Sequence, residues 1–452
     1  MNTRSQKPRV LLLADDCNPE WPSLPVVGYK AARAIADYAD VTVATHVRNR
    51  PQLDRHGFGQ AKVVYIDNEY VARGMYKLNT WLRGGSQVGW TTHIAMNYPS
   101  YLSFEWEVWR RFRKELQRGE FDLVHRLTPM SPTLPSPLAS VCPVPFVVGP
   151  LNGGLAWPAE YAPERAREKE WLVKLRDAHR LLPFYRSTYE KSAVILSAFE
   201  HTMRDLPQSA RPRMVNFPEV GVDAELFHPH SKRGQRSRLT FLFAGRLVPY
   251  KLPSLAVDCF ARSAILRGHR LLIVGDGPER ETIERKVNEA KLWGSVQVLG
   301  QRKQAEVGDL MRQSDVFVFP SIRELGAGVV AEAMASGLCV AAVDYGGPAE
   351  LLANGRGVKV PLRAQEPMTR DFTRALEQLA EAPEQVRAYG EKARSYALSM
   401  LTWDVKAQFT LDLYQRALEG RPLPQAPFEP TEQDGREQQG REKHSTVKVR
   451  AA

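Results

Sequence analysis

The feature that most constrains this chain is a rhythm that runs, stops and runs again. Strand-sized apolar stretches at Val10–Ala14, Val41–Thr45, Lys62–Ile66, Leu123–Arg126, Pro145–Val148 and Ala193–Ser197 alternate with helical patterns, starting with the Ala-rich Val27–Tyr38. A polar stretch rich in proline, Pro207–Pro218, then reads as a linker. Five more strand candidates follow: Leu239–Ala244, Arg270–Val274, Val296–Leu299, Val316–Phe319 and Cys339–Val343, again with helices between them. Short apolar strands separated by helices pack as a parallel sheet covered on both faces. Two such runs predict two doubly wound α/β domains, at residues 1–215 and 216–400. An amphipathic helix at 401–419 follows, and the polar, proline-rich 420–452 reads as a disordered tail. A length of 452 residues suits this division.

Composition then removes several classes of function. The longest apolar runs are strand-sized and far short of a membrane span. The opening MNTRSQKPRVLLLADDC is basic and then apolar, but its apolar part meets Asp15-Asp16 at once, which predicts a first strand rather than a secretory leader. Cys17, Cys142, Cys259 and Cys339 are scattered, with neither CxxC pairing nor metal-ligand spacing, and suit free thiols in a reducing cytoplasm. The net charge of +11 is uneven: residues 1–215 carry 29 Lys and Arg against 21 Asp and Glu, and the remainder 33 against 30. The first half is therefore the part biased toward an anionic partner. No nucleic-acid motif accompanies the charge, so nucleic acid is not expected. Phe104–Arg118 and Pro163–Leu181 set Trp, Phe and Leu beside Arg and Lys. That pattern fits ordinary surface helices, and it also fits peripheral contact with the anionic inner face of a membrane.

Four stretches in the second half each follow a strand candidate, where open α/β sheets bind ligands. In FLFAGRLVPYK a strand runs into Gly245, and Arg246 and Lys251 follow on the loop. Two cations there can grip a diphosphate and neutralise charge developing on a leaving group, although basic loops are common. In LLIVGDGPER, Gly275 and Gly277 let backbone come close to a neighbour. Arg280 stands where a third glycine would complete a dinucleotide fingerprint, which argues against a dehydrogenase. FVFPSIRELGAGVVAEAMASG is the most specific: Glu324, then small residues Gly326, Ala327 and Gly328, then a helix containing Glu332. Helix N-terminal amides attract phosphate, and carboxylates accept hydrogen bonds from sugar hydroxyls. The fourth, VAAVDYGGPAELL, places Gly346-Gly347 after a strand and Glu350 in the next helix, which a plain βα turn explains equally well.

These four stretches, in this order, resemble the retaining glycosyltransferases of family 4, and the match is dense from Phe217 to Gly357. The resemblance implies the GT-B fold: two Rossmann-like domains facing an interdomain cleft, with a C-terminal helix, here marked by Thr402-Trp403 and Tyr414, crossing back to the first domain. It implies Glu324 toward the donor sugar, Glu332 toward the ribose, and Arg246 and Lys251 on the donor pyrophosphate. It adds Gly245, Gly275, Gly277, Gly326, Ala327 and Gly328 as donor-binding positions, with Gly28 and Asn152 on the acceptor side. PEVGVDAELF is similar to the family's Asn-Gly-Val-Asp segment, with Val220 in place of Asn. Where many relatives carry His-x-His before an acidic residue and Pro, this chain reads His125-Arg126-Leu127-Thr128-Pro129. His125 is thus either a catalytic residue or a packed strand-end histidine, and Leu127 replaces the second His.

The activity implied is transfer of a hexose-type sugar from a nucleotide-sugar donor, with retention, to a hydroxyl of a glycan or lipid-linked acceptor. No cofactor and no metal are expected, since Arg246, Lys251 and helix amides can stabilise the leaving nucleotide. Two alternatives stay open: a catalytically silent nucleotide-sugar-binding subunit, and a nucleotide-sugar epimerase of the same fold.

Overall fold

The computed structural model describes residues 7–71, 73–74, 90–167, 178–229, 238–425 and 428. Seven strands form the first sheet: β1 (Arg9–Ala14), β2 (Asp40–His46), β3 (Lys62–Ile66), β4 (Leu123–Thr128), β5 (Phe146–Leu151), β6 (Val194–Ser197) and β7 (Met214–Asn216). Their spatial order is β3-β2-β1-β4-β5-β6-β7 and every pairing is parallel. The second sheet holds β8 (Thr240–Ala244), β9 (Arg270–Val274), β10 (Val296–Gly300), β11 (Val316–Phe319), β12 (Cys339–Val343) and β13 (Val358–Val360), ordered β10-β9-β8-β11-β12-β13. Central strands such as β4, β8 and β11 are buried along their whole length, because helices cover both faces. In each sheet the chain works outward on one side, then returns to the centre and works outward on the other. The reversal leaves a crevice between β1 and β4 in the first domain and between β8 and β11 in the second. The chain is an α/β protein of two doubly wound domains.

Several boundaries differ from the sequence reading. Pro207–Pro218 is not a free linker: Gln208–Arg213 forms a 3₁₀ turn, and Met214–Asn216 pairs with β6 as the edge strand β7. The prolines lie outside the three paired residues, and burying Met214 and Val215 is enough to hold a short edge strand. Strand β13 is likewise only three residues long, too short for an apolar run to announce it. The basic helix expected at Phe104–Arg118 begins earlier and runs over Trp90–Gln117. Of Pro163–Leu181, a short helix at Ala162–Arg167 and a 3₁₀ turn at Ala178–Leu181 are seen, while 168–177 lie outside the described residues. No helix among the described residues is long and apolar enough to cross a membrane.

The crossover helix spans Trp403–Glu419 and starts at Thr402, whose side chain accepts a hydrogen bond from the Val405 amide. It returns to the first domain. Tyr38, at the end of the helix Leu24–Tyr38, bonds Asp404, and Gln408 donates to the Tyr38 hydroxyl at 2.9 Å. Phe409 stacks on Phe217 with centroids 5.9 Å apart. Of the expected tail, 420–425 and Phe428 are described. Phe428 is buried against Phe217 and Phe409, and its carbonyl accepts from the Tyr396 hydroxyl at 2.9 Å.

Candidate functional site

The loop leaving β8 carries Gly245, Arg246 and, in a 3₁₀ turn at Pro249–Lys251, Lys251. The loop leaving β11 carries Glu324. These strands are neighbours across the crevice of the second domain, so the fold brings the two loops together. The Lys251 ammonium lies 2.9 Å from Glu324 Oε2 with only 10% and 19% of the two side chains exposed. The Phe319 ring, 5.1 Å from the Lys251 nitrogen, closes one side. Partial burial strengthens such a pair because little water is left to screen it. Arg246, the other cation of the loop, stays exposed and donates to the Tyr250 hydroxyl at 2.7 Å.

Beyond Glu324 the chain turns into the helix Gly328–Ala335 through Ala327, whose φ of 48° is left-handed. Glu332, one turn inside that helix, is half-buried and accepts from Gln304 at 3.0 Å. Burial pushes its carboxyl up to about 7, against the opposing pull of Lys30 on the first domain's helix Leu24–Tyr38. Glu332 thus lies within electrostatic reach of the first domain. Gly275 and Gly277 serve the loop from behind. Gly275 (φ 137°) has no room for a Cβ, which would overlap the carbonyl oxygen of Gly245. At Gly277 a Cβ would lie 2.5 Å from the Leu247 carbonyl oxygen. What these glycines admit in this structure is the β8 loop itself, fixed by Leu247 N–H donating to Asp276 O at 2.9 Å.

The first domain places its candidates differently. The sequence reading ended a strand near His125, but β4 continues to Thr128, so His125 sits inside the sheet between Leu12 and Val147. It is fully buried. Its Nε2 lies 2.7 Å from the Gly149 carbonyl, which can only accept, so Nε2 carries the proton. Nδ1 then accepts from the Tyr414 hydroxyl of the crossover helix, 2.6 Å away. Burial drives the ring's pKa down to about 4. His125 is a packed strand histidine here, not a side chain open to the cleft, and Leu127 is buried too. Gly28 lets its helix touch the strand ends: a Cβ would meet Asp16 O at 2.5 Å and Thr128 Cγ2 at 3.0 Å. Asn152, after β5, donates to the carboxylate of Glu219. The next residues reach the second domain: Trp157 meets Tyr250 edge-on at 6.3 Å, and Arg323 lies 5.1 Å from the Trp157 ring.

A separate cavity of about 720 Å³ lies where the segments after β6 and β12 meet, lined among others by Phe199, His201, Tyr345, Glu350 and Phe428. Of the four stretches singled out in the sequence, it takes in only the fourth, through Gly346 and Glu350. Glu350 crosses this junction to accept the Glu200 amide at 3.1 Å, and burial raises its carboxyl to about 7.

Residues 228–396, which hold the β8 and β11 loops, match the family model for glycosyl transferases group 1. That part of the chain is thus similar to glycosyl transferases group 1. Among similar proteins is D-inositol 3-phosphate glycosyltransferase 2 of Catenulispora acidiphila, 29% identical over 227 residues, which is 46% of this chain and 52% of that one. A GDP-mannose-dependent alpha-mannosyltransferase of Mycobacterium tuberculosis is 29% identical over 252 residues, 54% of this chain and 61% of that one. The chain spans about half the length of the curated relatives it matches. Among solved structures, sucrose-phosphate synthase from Thermosynechococcus elongatus superposes with a TM-score of 0.64 at 16% identity, covering 92% of this chain and 100% of that one. Anabaena HepE, crystallised with UDP and glucose, gives 0.56 at 15% identity over 90% and 99%. At such identities the likeness is one of fold, the two facing Rossmann-like domains of GT-B.

Two buried charged residues near the site escaped the sequence reading. Glu219 stands in PEVGVD, where attention went to Val220, yet it is the carboxylate that is buried. Lys406 is a lone cation between apolar Val405 and Ala407 on the crossover helix, and it too is buried, donating to the Pro218 carbonyl. A charge inside an apolar stretch was the available signal in both cases.

Proposed function

We propose that this chain is a retaining glycosyltransferase that moves a hexose-type sugar from a nucleotide-sugar donor to a hydroxyl acceptor in glycan, polysaccharide or glycolipid biosynthesis. The observation that carries the reading is the Lys251–Glu324 pair at the β8/β11 crevice of a group 1 domain. In the proposed step the bond from the anomeric carbon to the phosphate oxygen breaks, and charge grows on the departing nucleotide. Lys251 and Arg246 counter that charge, together with amides at the start of the helix Gly328–Ala335. Glu324 orients the sugar hydroxyls and Glu332 the ribose. The acceptor hydroxyl attacks from the face the nucleotide leaves, its proton passing to the departing phosphate oxygen, so the step calls for no separate carboxylate base and no metal. UDP and glucose in HepE, and GDP-mannose in the name of the mycobacterial relative, support a nucleotide-sugar donor.

A lipid-linked acceptor on an anionic inner membrane face fits the basic helix of the first domain. There Trp106 is 58% exposed, and Arg110, Arg111, Arg113 and Lys114 lie around it. The burial of His125 and Leu127 favours one second reading, a silent nucleotide-sugar-binding subunit.

The test is a panel of UDP-, GDP- and ADP-sugars with purified protein. The expected result is a raised Tm with one donor, slow release of its nucleotide, and a product whose anomeric configuration by NMR matches the donor's. Stabilisation without release, acceptors supplied, would favour the silent subunit. Stabilisation by none would overturn both readings.

A further inference from the structure

Four parts of the molecule converge on one carboxylate. Glu219 lies on the segment between the domains and is 2% exposed. From the first domain, Asn152 Nδ2 donates to its Oε1. From the second, Gly326 offers its bare Cα to that same oxygen: any Cβ there would overlap it. Val220 uses the next gap, since a Cβ at Gly328 would stand 3.0 Å from Val220 Cγ1. From the crossover helix, Lys406 holds the Pro218 carbonyl, one residue before Glu219. The small residues that open the helix Gly328–Ala335 are therefore filled from the side by Glu219 and Val220.

The carboxylate is also incompletely satisfied. Glu219 Oε2 and Asn152 Oδ1 are buried and meet no hydrogen-bond partner among the described residues. A buried polar atom left unpaired is costly, so the exact placement of this pair matters. Burial pushes Glu219 up to about 7 and Lys406 down to about 7. The charged groups acting on Glu219 are Lys406, which favours its ionised form, and Glu324, which opposes it.

We propose that Glu219 is a positioning residue of the donor site: it clasps the Gly326–Gly328 loop to the first domain through Asn152, and so fixes the loop on which Glu324 and the helix amides act. The role rests on the donor-site reading above. It predicts that the loop's order and donor affinity depend on the Glu219 carbonyl-type oxygen that Asn152 binds. Glu219→Gln keeps that oxygen and Glu219→Ala removes it.

Hydrogen exchange on the full chain without ligand reads the clasp directly. In Glu219→Ala, amides of residues 325–330 and 152–156 should exchange faster, on the order of tenfold, while β11 amides stay as in the wild type. In Glu219→Gln, protection should return. Unchanged exchange in Glu219→Ala, or an equal rise across the whole second sheet, would overturn the clasp. The second readout uses whichever of the UDP-, GDP- or ADP-sugars stabilises the wild type. Glu219→Ala should raise its KM more than it lowers kcat, with Glu219→Gln restoring KM; equal KM in all three proteins would overturn the positioning role. If no nucleotide sugar stabilises the wild type, the donor reading fails and the positioning role with it, while exchange still reports whether the contact exists.

Discussion

The two domains reverse strand order at equivalent points, yet the two crevices are furnished in opposite ways. At β8/β11 the loops bring Lys251 against Glu324, leave Arg246 exposed, and end in a helix start built from small residues. At β1/β4 the nearest candidate, His125, is sealed beneath the crossover helix, and Gly28 serves to press a helix onto the strand ends. Shared topology supplies the place for a site and no more. What differs is whether the ionisable side chain falls on the loop after the strand or within the strand itself.

Three experiments bear on that contrast, from the largest effect to the smallest. Removing the cation in Lys251→Ala should lower turnover by about 10²–10³-fold, the scale for deleting one stabilising group in a preorganised site. A loss below about tenfold in steady-state assays would mean the second crevice is not where the leaving group is stabilised.

The first crevice is tested through pH. His125 protonates near 4 in the fold against 6.5 for a free ring. Between those values the unfolded chain binds more protons, so the stability His125 contributes is complete above about 6.5 and is lost as pH falls toward 4, on the order of 3 kcal/mol. His125→Gln lacks this dependence. Urea melts at pH 7, 6, 5 and 4.5 should therefore show the wild type losing stability relative to the variant; a difference independent of pH would mean the ring is not sealed.

The smallest effect concerns Ala327. A left-handed alanine costs roughly 1 kcal/mol that glycine avoids, partly offset by glycine's greater freedom when unfolded. Ala327→Gly should raise stability by about 0.5 kcal/mol in denaturant melts. A clear loss would show that the methyl group, buried at this helix start, contributes packing that outweighs the strain.

Much of this was legible beforehand because it is local. Ten of the eleven strand candidates are matched within two residues at each end, as apolar runs bounded by turn residues. The eleventh, β5, ends three residues later than expected, at Leu151, and in β4 two further residues of strand, Leu127 and Thr128, moved His125 from an end to the interior. Strands β7 and β13 were missed because three residues carry too little pattern. Gly275 and Gly277 were noticed as glycines near a ligand position, but only the fold shows that they accommodate the β8 loop.

The sequence by itself determined the two α/β domains and the order of the loops bearing Arg246, Lys251, Glu324 and Glu332, since periodicity and turn residues act over a few positions at a time. Only the tertiary structure decided which charges meet. Lys251 and Glu324 are 73 residues apart and Asn152 and Glu219 are 67 apart, and each pair is joined by sheet topology rather than by any local preference. Burial was decided there as well: whether a carboxylate such as Glu219 sits in water or against a helix start depends on everything packed around it, which no stretch of neighbouring residues encodes.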